Sequence, residues 1–97
     1  MSLHQPKANI YKGENLYVID VFLPGIEPES LNLEVNNHRL VVQALRKKNE
    51  QSFKLKREFN LNRHVDVELI DAKLENGLLR IELPVANQHR KIAIKAA

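Results

Sequence analysis

Ala72-Lys73-Leu74-Glu75-Asn76-Gly77-Leu78-Leu79-Arg80-Ile81-Glu82-Leu83-Pro84 reads as a β-hairpin. Asn76-Gly77 supplies the turn, because both central residues of a type I′ turn need positive φ and this pair accepts it readily. Residues 72–75 form the first arm and 78–83 the return arm. Pro84 stops the return arm, since it has no N–H to donate.

The same reading extends in both directions. Residues 9–12 make a short strand ended by Gly13. Residues 15–23 make a longer one, stopped by Pro24-Gly25. Its two faces are Tyr17, Ile19, Val21, Leu23 and Leu16, Val18, Asp20, Phe22; both are largely apolar, so cover on both sides is expected. Residues 27–30 are a loop or short turn. Residues 31–35 alternate strictly, and Asn36-Asn37-His38 turns the chain into a strand over 39–45, so the two read as a second hairpin. Arg46-Lys47-Lys48-Asn49-Glu50-Gln51 is polar and is expected to be a tight exposed loop. Phe53, Leu55, Arg57, Phe59 and Leu61 then recur at spacing two. Arg57 is the exception on that apolar face, and its charge must find a partner or reach an edge. Residues 62–71 should be irregular with one turn of 3₁₀ helix. Beyond Pro84, residues 86–90 read as a flexible polar tether and 91–95 as a last β-competent patch. The total is about eight short strands and no stretch of 3.6-residue periodicity, which predicts an all-β antiparallel sandwich or barrel.

Composition narrows the function classes. A chain of 97 residues, 43% hydrophobic and 28% charged, is expected to be one globular domain. It has no cysteine, so disulfides, thiolate metal sites and cysteine nucleophiles are excluded. The first residues lack a basic and an apolar signal region, and no apolar run approaches the ~20 residues of a membrane helix. The expected location is cytoplasmic, with no membrane partner. Net charge is +3, but basic and acidic residues are interleaved and aromatics are only 5%, so nucleic acid is not expected as a partner. Histidines 4, 38, 64 and 89 are unpaired in sequence; neither Ser30 nor Ser52 lies in a glycine-framed nucleophile turn; no glycine-rich phosphate loop exists. No metal, cofactor or catalytic residue is assigned, and an enzyme is not expected.

The tail is the more informative constellation. Ile92 and Ile94 are one residue apart and point the same way on an extended segment. Basic residues flank them. Two readings stand: a docking strand that adds to a sheet edge, or the last strand of the chain's own sandwich.

These residues resemble the small heat-shock protein family. The Pro24-Gly25 turn, Arg57-Glu58-Phe59-Asn60-Leu61, Val65-Asp66 with Ile70-x-Ala72, the run Ala72-x-x-x-Asn76-Gly77-Leu78-Leu79 with Ile81-x-Leu83-Pro84, and Ile92-Ala93-Ile94 are each similar to a family motif. The resemblance implies an immunoglobulin-like antiparallel β-sandwich, the α-crystallin domain, over residues 9–84. It implies a short N-terminal arm over 1–8 and a C-terminal extension over 85–97. It also implies an ATP-independent holdase that binds unfolding client proteins and forms a dimer or larger homo-oligomer. The Ile92/Ile94 tail would bind a neighbouring subunit in a groove between Leu31, Leu33, Val35 on one strand and Ala72, Leu74 on another. Arg57 matches a family arginine at or near the dimer interface; an intrachain salt bridge is the other reading. Three departures are visible. The 46–51 segment is too short for the strand that relatives swap between partners, so a swapped dimer is not expected. The arm before residue 9 is short. Asn62 and Val85 replace a usual proline and lysine. The competing reading is an adaptor or co-chaperone of the CS-domain type, which binds one defined protein partner.

Overall fold

The alternation along these segments becomes two stacked four-stranded sheets. The computed structural model describes residues 2–86 and 92–96. Its strands are β1 (Ser2–His4), β2 (Ala8–Lys12), β3 (Leu16–Phe22), β4 (Asn32–Asn36), β5 (Arg39–Lys48), β6 (Gln51–Asn60), β7 (Asp71–Glu75) and β8 (Leu78–Pro84). Short 3₁₀ turns occupy Pro28–Ser30 and Val67–Leu69. One sheet has the order β1-β6-β5-β4 and the other β2-β3-β8-β7. All pairings are antiparallel except that of β1 with β6. This is the expected sandwich.

Two-residue turns set the register. Asn37-His38, Asn49-Glu50 and Asn76-Gly77 all lie at positive φ, as type I′ turns require. Asn36 therefore pairs with Arg39, Lys48 with Gln51 and Glu75 with Leu78. The resulting alternation places Leu40, Val42 and Ala44 of β5, Leu55 and Phe59 of β6, and Leu79, Ile81 and Leu83 of β8 between the sheets. Each of the larger ones contributes roughly 1.5–3 kcal/mol by leaving water. Leu23 N donates to Gly77 O at 2.7 Å, so the β7–β8 turn also clamps the end of β3.

Three expectations need correction. Residues 46–51 are not a loop; β5 runs through Lys48 and β6 starts at Gln51, with only Asn49-Glu50 between them. Their polarity reflects a hairpin tip with little over it, not a break in the strands. The last of the eight strands lies elsewhere: residues 92–96 hold no strand, and Ser2–His4 forms β1 instead. The polar tether falls outside the described residues from position 87 on, as does Lys91. Finally, β3 is not covered on both sides. Ile19 and Val21 face the core, while Leu16 and Phe22 on the other face are exposed.

That outer face holds one buried charge. Asp20 is only 4% exposed and pairs with Arg80, its register partner on β8. Arg80 Nε donates to Oδ1 at 2.8 Å and Nη2 to Oδ2 at 2.9 Å. The two-pronged hydrogen bond from Arg80 holds the Asp20 carboxyl below the usual carboxylate range, against the opposing pull of burial.

Two outcomes follow for stability. Gly77 sits at φ +77°, and a Cβ there would lie 3.2 Å from Pro24 Cα. Gly77→Ala should cost about 2 kcal/mol in urea denaturation, through backbone strain and that contact. Arg80→Met should lower the urea midpoint at neutral pH, because it strands a buried carboxylate. Asp20 titrates lower folded than unfolded, so the pair's contribution is complete above the unfolded carboxylate range. It is lost as pH falls through the depressed folded value. The gap between wild type and Arg80→Met should therefore close on acidification; a gap constant with pH would refute the assignment.

Candidate functional site

The two sheets each leave one strand edge open on the same side. Arg57 Nη1 donates to Pro6 O at 2.8 Å, just before β2 begins. β2 therefore lies over β6, and the opposite edges, β4 and β7, share the other side. Among the described residues neither β4 nor β7 has a neighbour beyond β5 and β8 respectively, so each keeps a row of unpaired N–H and C=O groups.

Register tells which side chains face the gap between these edges. Leu33 lies opposite Val42 and Val35 opposite Leu40, and both partners are buried. Ala72 lies opposite Ile81 and Leu74 opposite Leu79, again both buried. Leu33, Val35, Ala72 and Leu74 thus all point inward. Leu31, Leu33 and Leu74 are half-buried against the core. Val35 is still 38% exposed and Ala72 is exposed. Val35 and Ala72 are thus apolar side chains that face inward yet still meet water at these two edges. Four of the five residues singled out in the sequence are thus brought to one side of the sandwich, and Leu31 lies just before β4.

The tail residues lie apart from it. Ile92 is 77% and Ile94 92% exposed, and they belong to no strand. The reading of this segment as the chain's own last strand does not hold. Arg57 is half-buried on the inward face of β6, opposite Val42. Among the described residues it meets no carboxylate, so the intrachain salt bridge is absent there. Its guanidinium lies 5.4 Å from the Phe59 ring centroid, and its Nε is buried with no hydrogen-bond partner among those residues. Histidines do not converge: among the described residues no group of three or more His, Cys, Asp or Glu side chains is placed to hold a metal. His89 lies outside them. No helix is long and apolar enough to cross a membrane.

The family model described as Hsp20/alpha crystallin family matches residues 9–95. The chain belongs to the Hsp20/alpha crystallin family. It is 33% identical over 106 positions to small heat shock protein HspH of Bradyrhizobium diazoefficiens, covering 95% of this chain and 69% of that one. It is 28% identical over 104 positions to small heat shock protein C2 of Rickettsia felis, covering 93% and 68%. The chain thus spans about two thirds of the length of these relatives. Among solved structures, hspA from Xanthomonas axonopodis superposes with a TM-score of 0.74 at 25% identity, over 84% of this chain and 93% of that one. A small heat-shock protein from Xylella fastidiosa superposes with a TM-score of 0.76 at 24% identity, over 94% and 96%, which shows the shared fold. Membership of the Hsp20 family supports a chaperone role, in a class that is generally not enzymatic.

Sequence reasoning missed two features of this Hsp20 domain. Asp20 was a signal, as a lone acid inside an apolar strand, but its partner is 60 residues away and needs the β3–β8 register. β1 had no signal of its own. For Arg57, the bond to Pro6 predicts an outcome. Arg57→Met should cost about 1 kcal/mol and speed amide exchange in residues 2–5. Unchanged exchange there would show that Arg57 does not hold this segment.

Proposed function

We propose that this protein is an ATP-independent holdase that self-associates through its tail. Residues 9–84 are the α-crystallin domain and 85–97 an extension whose Ile92 and Ile94 enter a neighbour's groove between β4 and β7. One observation carries the reading. The same molecule presents two isoleucines at spacing two, almost fully in water, and inward-facing apolar side chains that still meet water beside two open edges. An extended tail would add its backbone to an edge and its two side chains to the space beside Leu31, Leu33, Val35, Ala72 and Leu74. Burying both isoleucines stabilises the contact by roughly 3–6 kcal/mol before ordering costs.

The charges agree. The tail is flanked by Lys95, while Glu34 and Asp71 stand exposed on β4 and β7. Arg57 belongs near the subunit contact in this proposal. The two-residue turn at Asn49-Glu50 has no segment to exchange, so a dimer forms without the swapped strand. Unfolding proteins are held on exposed apolar surface, in the cytoplasm, without nucleotide.

The test combines assembly with activity. Ile92→Gly/Ile94→Gly should shift the mass seen by light scattering to a smaller species. Wild type should suppress heat aggregation of citrate synthase without ATP. Unchanged mass in the double variant sinks tail docking and favours a CS-type adaptor. No suppression at several-fold molar excess sinks the holdase.

A further inference from the structure

The opposite side of the sandwich holds a second opening. A cavity of about 470 Å³ lies between β2 and the end of β6, with Ile10, Lys12, Tyr17, Phe59, Asn60 and Leu61 among its lining. Ile10 points inward, since its register partner Ile19 is buried, yet it is 51% exposed. Phe59 and Leu61, on and just after β6 of the other sheet, line the same cavity.

Both borders of this opening are free strand edges. Among the described residues β2 pairs only with β3. The far edge of β6 is taken by β1 at Phe53–Leu55, and the stretch toward Asn60 is uncovered. β1 is itself the precedent: an extended segment already adds to this side, and Pro6 behind it is buried. The occupant that fits the remaining part is another extended segment with apolar side chains at alternate positions.

Charge selects among such segments. Lys12 Nζ lies 5.9 Å from the Tyr17 ring centroid and has no carboxylate partner among the described residues. Glu58, also on the lining, is engaged by Arg39 at 3.5 Å and Lys56 at 3.3 Å. The net charge offered to an incoming chain is positive. The protein's own tail, with Lys91 and Lys95 beside its isoleucines, is the wrong occupant.

We propose that this opening is a slot for client segments in which alternate apolar residues are followed by acidic ones. It adds them to the β2 edge, with an apolar side chain over Ile10 and Phe59 and a carboxylate toward Lys12. The molecule then separates self from client by charge, one on each side. The client label rests on the chaperone reading; the slot itself does not.

The experiment is an NMR titration of the full chain with two synthetic hexapeptides. Both carry isoleucine at alternate positions; one ends in two aspartates, the other in two lysines. The acidic peptide should move the amides of Ile10, Lys12, Phe59 and Leu61 and bind about fivefold tighter than its twin, the size of an exposed charge-pair effect. Lys12→Glu should invert the preference, and Lys12→Gln, the milder change, should abolish it. Val35→Ser, on the other side, should leave the acidic peptide's affinity unchanged. Equal affinities, no binding in the millimolar range, or shifts centred on Val35 and Ala72 would overturn the slot. Aggregation suppression that persists in that event would leave the holdase reading intact.

Discussion

Six residues at positive φ, two in each of the turns Asn37-His38, Asn49-Glu50 and Asn76-Gly77, hold this structure in register. Side chains of a strand alternate with period two, so a slip of one residue would carry a whole apolar set to the wrong face. A two-residue turn of this hand allows no such slip, and its twist matches that of the strands it joins. Asparagine opens all three turns, which eases the left-handed backbone; His38 and Glu50 accept it as the second residue at some strain. Every inward position argued above, from Leu40 to Leu83, inherits its direction from these turns. So does the side between β4 and β7, because Val35 and Ala72 face inward only in this register.

What the sequence disclosed follows from the range of the forces involved. The hairpin over 72–83, the alternation from Phe53 to Leu61 and the 3₁₀ turn near Val67 are local patterns, and they were legible. The Arg46-Lys47-Lys48 run has the charge of a loop yet belongs to β5. Lys47 and Lys48 are exposed, and an exposed strand end has no reason to be apolar. β1 was invisible for a different cause. Three residues with no alternation gain their strand only by lying beside β6, some fifty positions on, in a parallel pairing that no short motif announces. The candidate groove was legible only through family resemblance. Composition alone does not say that β4 and β7 end up at open edges on one side.

The two long sides of the sandwich also differ in how they are closed. On one, β4 and β7 stand apart with half-buried leucines between them. On the other, an added strand, a buried proline and an arginine close part of the gap, and the rest stays open beside Lys12. A small sandwich cannot cover all four of its edges with its own short chain. The uncovered stretches keep unpaired strand edges, the kind of surface to which other chains add.

The pairing of β3 with β8 has a consequence for how the protein is made. β2 and β3 leave the ribosome before the rest of the sandwich they pair with and can form a hairpin at once, but β3's other neighbour arrives about sixty residues later, as the span from Asp20 to Arg80 shows. Until then the nascent chain displays a long apolar strand with one edge unpaired, beside a carboxylate that still lacks its cation. Non-local strand pairing is slow and aggregation-exposed. Through the synthesis of that span, then, a member of a chaperone family is itself a chain in need of shielding.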